Sequence, residues 1–100
     1  MKTIDIDGRL YKIKILPPWL LHYVQRYNSL MKVEPETEDD EVKLEGKIKR
    51  SIQRILSVSE PMPTEEDATQ VFFAVINHLN EYIAEVNEEA KFFRKVEAGD

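Results

Sequence analysis

Ser59–Asp67 reads SEPMPTEED, two prolines and four acids in nine positions between two apolar-periodic segments. Glu60 and Met62 each precede a proline, which biases both away from helical geometry. Residues 60–63 therefore read as a stiff extended corner. Thr64 then suits a helix N-cap with Asp67 three residues on, and Glu65 and Glu66 fill the positively polarised first turn. The stretch stops one helix and starts the next.

On its C-terminal side, Ala68, Phe72, Val75, Leu79, Ile83, Val86, Ala90 and Phe93 recur at steps of three and four, an apolar seam sustained over more than three heptads. A continuous helix over 65–95 would be about 46 Å long at 1.5 Å per residue. A globule of this chain length has a radius of gyration of only about 13 Å. One end of the helix should therefore project, bend or pack on another subunit.

On its N-terminal side, Leu44, Ile48, Ile52 and Ile55 keep helical spacing, with Leu56 beside them. Thr37 is the expected N-cap, followed by acids that favour a first turn, so this helix should cover 38–58. Gly46 inside it costs about 1 kcal/mol relative to alanine. Before it stands the acidic loop around Glu34–Glu41, and before that an apolar stripe of Leu20, Val24, Tyr27 and Met31 in a helix over 18–32. Pro18 suits that helix's first position, where a missing N–H is not felt.

Thr3–Ile6 and Arg9–Ile15 alternate apolar and polar residues around Asp7-Gly8. Asp-Gly between alternating runs favours a type I′ turn, because both central positions take positive φ. Ile6 then faces Arg9 and Ile4 faces Tyr11. Ile4, Ile6, Tyr11, Ile13 and Ile15 share one face, with Thr3, Asp5, Lys12 and Lys14 on the other. A lone hairpin is marginal in water, so the apolar face needs a partner surface. The expectation is a mainly helical α+β domain over 1–100: a hairpin over 3–16, three helices with the third long, and a flexible tail over 96–100.

Composition narrows the function classes. The chain is 42% apolar and 33% charged, a balance that folds and is unlike a disordered chain. It has no cysteine, so disulfides and thiolate metal sites are excluded. No apolar run approaches a membrane span and no leader is evident, which points to a cytoplasmic protein with no membrane partner. Net charge is −5, distributed as +4 over 1–32, −6 over 33–67 and −3 over 68–100. An acidic total argues against nucleic acid as a partner, since phosphate binding needs net positive surface.

No constellation of catalytic residues stands out. The glycines are Gly8, Gly46 and Gly99, so no phosphate loop exists, and the carboxylates cluster where helix starts explain them. His22 and His78 lack metal-ligand spacing, because Val75 stands where a Glu-x-x-His pair would need its acid. The chain is read as a non-enzyme with no cofactor and no metal. Lys43, Lys47, Arg50 and Arg54, with Lys49, form a basic stripe read as a solvated face offset by Glu41, Glu45 and the acidic loop. Phe72-Phe73 and Phe92-Phe93 each place one ring on the seam and the other about 100° away. Phe73 is assigned to burial within its own domain, and otherwise to association. Phe92 and Phe93, near the chain end, are assigned to an interface. Phe73, Tyr82, Phe92 and Phe93 are thus the candidate protein-binding residues.

The order of IDIDGRLYKIKIL, a Pro-Pro-Trp entry into an apolar helix, an acidic loop, an Ile-rich helix and ILSVSEPMPTEED running into VFFAVINHLNEYIAEVN resembles the small tail assembly chaperones of long-tailed bacteriophages and prophages. The resemblance covers roughly residues 3–95 and rests on layout. It implies a host-cytoplasmic protein that binds the helical tape-measure protein, keeps it soluble and helps tail-tube subunits assemble around it. Independently of the resemblance, the long third helix allows association with further copies of the chain. The alternative expectation is a small acidic phage, viral or host regulator acting on a nucleic-acid-processing protein or on DNA.

Overall fold

The computed structural model describes residues 2–13 and 16–98, with side chains as far as residue 89. The hairpin forms as the alternation requires. Strand β1 (Lys2–Ile6) pairs antiparallel with β2 (Arg9–Ile13), with Ile6 opposite Arg9 and Ile4 opposite Tyr11. Asp7 and Gly8 both have positive φ, 52° and 88°, and the Gly8 N–H donates to Asp5 Oδ1 at 2.8 Å. Left-handed geometry costs a side-chain-bearing residue about 1–2 kcal/mol. Gly8→Ala should lower stability by that much although open space surrounds the position. An unshifted urea midpoint would show that the turn does not need the glycine.

Helix α1 spans Pro18–Leu30, with Pro18 at its first position and Pro17 extended before it. Helix α2 spans Glu38–Leu56, and Thr37 caps it by accepting a hydrogen bond from the Asp40 N–H at 3.1 Å. Glu38, Asp39, Asp40 and Glu41 occupy its first turn and Arg54 its last, the arrangement a helix dipole favours. Helix α3 spans Ala68–Ala98. The expected ends shift accordingly: α1 stops at 30 and α2 at 56, and of the anticipated tail, 96–98 continue α3 while 99–100 lie outside the described residues. Residues 65–67 form a turn ahead of α3 and not its first turn. Thr64 still caps that turn, accepting from the Asp67 N–H at 3.3 Å.

The corner contains an element missing from the sequence reading. Ser59–Glu60 form a short strand, β3, antiparallel to β2, with Ser59 opposite Ile13 and Glu60 opposite Lys12. The sheet is therefore three-stranded in the order β1-β2-β3. The proline at 61 holds Glu60 extended, and an extended segment beside a hairpin edge has backbone groups to pair. On β2, Ile13 ends at the centre of this arrangement; of the inward face proposed for the hairpin, Ile15 lies outside the described residues.

Ile6, Tyr11 and Ile13 from the sheet, Leu20 and Val24 from α1, Ile55 and Leu56 from α2, and Val71, Phe72, Val75 and Leu79 from α3 make one core. Both hairpin strands and all three helices contribute to it. The ring of Phe72 meets that of Tyr27 edge-on, centroids 4.9 Å apart, which ties α1 to α3. The radius of gyration is 17.2 Å and the longest extent 60 Å, well beyond a compact globule of this length. Along α3 the seam is buried through Leu79 and half-buried at Ile83, and residues 84–89 are all exposed. The helix leaves the body there.

Candidate protein-binding face of α3

The exposed apolar side chains of α3 follow from its length. A helix anchored by Val71, Phe72, Val75 and Leu79 has covered its seam with the body by Ile83, and the same spacing then continues with nothing over it. Val86 on the seam is 44% exposed and Tyr82 beside it 52% exposed. Around them Glu81, Glu85, Glu88 and Glu89 are exposed, so the apolar strip has an acidic border. Lys2 Nζ approaches Glu81 at 3.7 Å, an exposed pair of small energetic weight.

Phe73 corrects the first expectation placed on it: the ring is 56% exposed and not buried within the domain. It packs edge-on to Phe72, centroids 5.6 Å apart, and helps line a hollow of about 160 Å³ with Tyr27 and Ile52. At 100° per residue Phe73 and Tyr82 point half a turn apart. The four residues singled out from sequence therefore do not make one patch. Tyr82 joins Val86 on the projecting part, Phe73 opens onto the groove between α2 and α3, and the side chains of Phe92 and Phe93 lie outside the described residues.

The only strongly perturbed titrating pair joins the sheet to the start of α3 among the described residues. Asp67 is 1% exposed. Its carboxylate accepts from Arg9 Nε and Nη2, both at 2.7 Å, and from the Tyr11 hydroxyl at 2.6 Å. Hydrogen bonding from Arg9, then from Tyr11, holds the carboxyl down to about 2 against an ordinary 3.8, with Thr64 adding to it and burial opposing. The Arg9 guanidinium is raised in turn, chiefly by that hydrogen bond. All three groups are satisfied by one another, and Arg9 faces outward over a helix-capping corner. This arrangement serves as a structural clamp. Its groups are engaged with one another.

His22 is exposed and stacks edge-on with Tyr23; His78 is half-buried on α3. Among the described residues no group of three or more His, Asp or Glu is placed to hold a metal ion, and no helix is long and apolar enough to cross a membrane. The basic stripe of α2 gains a partner that its own helix could not reveal: Arg26 of α1 joins Lys47, Arg50 and Arg54 around one cleft. Compared with known proteins, the chain matches no family model, no curated protein and no solved structure.

Proposed function

We propose that this protein is a non-catalytic binding protein that holds an apolar helical segment of another polypeptide along the projecting part of α3. The observation that carries this reading is the continuation of the α3 seam beyond the body, with Tyr82 and Val86 about half exposed. An amphipathic helix laid against such a strip buries its own apolar face, with anchors at three- and four-residue spacing. The acidic border keeps the loaded complex soluble and favours a segment flanked by basic residues. Taken with the resemblance in layout, the role is that of a tail assembly chaperone, with the tape-measure protein as the bound helix and the tail-tube subunit as the second partner.

The test is co-expression with a helical fragment of a tape-measure protein. The two should elute as one soluble complex, and Tyr82→Asp with Val86→Asp should weaken capture at least about tenfold, a loss of about 1.4 kcal/mol or more. Because both side chains are exposed, the circular dichroism of the variant should match the wild type. Capture that is unchanged by the double substitution removes α3 as the binding face. Light scattering on the same variant reads self-association: a mass falling toward monomer assigns the strip to contacts between copies.

A further inference from the structure

The cleft between α1 and α2 lies apart from the α3 strip, and its chemistry is different. It encloses about 430 Å³ and is lined by Tyr23 and Arg26 of α1 with Lys47, Arg50, Ser51 and Arg54 of α2, within the size range of small-molecule sites. Four cations from two helices converge on it in a chain whose net charge is −5. Among the described residues no carboxylate comes within ion-pair distance of Arg26, Lys47, Arg50 or Arg54. None of the four is therefore neutralised by a direct ion pair. One of the four also packs on aromatic rings. The Arg54 guanidinium lies 5.7 Å from the Trp19 ring centroid and 5.6 Å from that of Tyr23, a cation–π arrangement that restrains it at the cleft wall.

We infer that this cleft binds a compact polyphosphate, either free or as the phosphate end of a nucleotide. Guanidinium groups pair with phosphoryl oxygens in two-pronged fashion, and three of the four cations are arginines. Two to four negative charges within one small cavity match the four positive ones. A long polyanion fits less well. The neighbouring hollow, which shares Lys47, is bordered by Glu34, Glu36 and Asp40, so the positive surface ends in acids after one cleft length. Duplex DNA needs charge matched along a track, at one phosphate per about 1.7 Å.

The experiment is calorimetric titration of the full chain at about 0.1 M salt, near the ionic strength where exposed long-range attraction is screened over about 10 Å. Inorganic diphosphate is the first probe, and ATP the second. Saturable one-to-one binding of diphosphate is expected, weakened more than tenfold by Arg50→Glu and by Arg26→Ala, and little changed by Lys49→Glu, which alters charge on the same helix outside the cleft. Two substitutions on different helices guard against a folding defect in either one. Equal affinities for the two probes assign the site to free polyphosphate; tighter ATP binding assigns it to a nucleotide with its base on the Tyr23 side. No heat with either probe, an equal loss in Lys49→Glu, or binding of duplex DNA with none of diphosphate overturns the inference.

Discussion

Phe72→Ala should cost about 3–5 kcal/mol, the range for removing a buried phenylalanine ring. Phe72 is 4% exposed, and its ring is the edge-to-face partner of both Tyr27 and Phe73. Its removal opens a cavity where α1 meets α3, and the rings on either side lose an aromatic contact worth about 0.5–1.5 kcal/mol beyond area burial. Domains of this size are stable by about 5–15 kcal/mol, so the variant should lose a large share of its stability. The neighbouring Phe73→Ala, at an exposed position, should stay within about 1 kcal/mol. Urea denaturation of the two variants separates these outcomes: the midpoint should fall steeply for Phe72 and little for Phe73. Similar shifts for both would place the core elsewhere.

Asp67→Asn should produce the second large loss, and one that depends on pH. Asparagine keeps the size of the side chain but removes the charge that Arg9 meets with two hydrogen bonds, and leaves Tyr11 a weaker acceptor. The carboxyl of Asp67 is lower in the folded chain, about 2, than its ordinary 3.8. The unfolded state therefore binds the proton first as pH falls, and the stability contributed by the charge is complete above about 4 and lost as pH drops through the folded value. At pH 7 the variant should melt well below the wild type and below Gly8→Ala. Between pH 4 and pH 2 the wild type should approach it. The informative quantity is the difference between the two proteins at each pH. A gap that stays constant down to pH 2 would mean that shape, and not charge, holds the clamp.

Local chemistry made most of the fold legible. Asp7-Gly8 gave the hairpin register residue for residue, Thr37 and the acids after it gave the start of α2, and the spacing from Ala68 to Val86 gave a helix too long for its domain. The parts that escaped are those in which distant residues meet. Asp67 reads locally as one more acid at a helix start, yet it closes on Arg9 and Tyr11, more than fifty residues earlier. Tyr11 carried the available signal: an inward-facing tyrosine on a strand needs an acceptor for its hydroxyl. Strand β3 is two residues long and exists only because β2 offers an edge, so no periodicity could mark it. Arg26 falls on a polar ridge of α1, and only the packing of α1 on α2 sets it opposite Lys47 and Arg50. Phe73 was misjudged for the same reason, since the ring next to a core residue has no local mark telling it from one that is covered.

The sheet has a consequence for how the chain matures on the ribosome. Ile13 finds its neighbour at Ser59, and Arg9 and Tyr11 find theirs at Asp67, while an isolated hairpin is barely stable in water. The amino-terminal strands must wait through the synthesis of about fifty further residues, on the order of 3–10 s at 5–20 residues per second. During that interval Ile13 lacks its strand partner Ser59. The beginning of the polypeptide gains its full set of partners only once the acidic corner has been made.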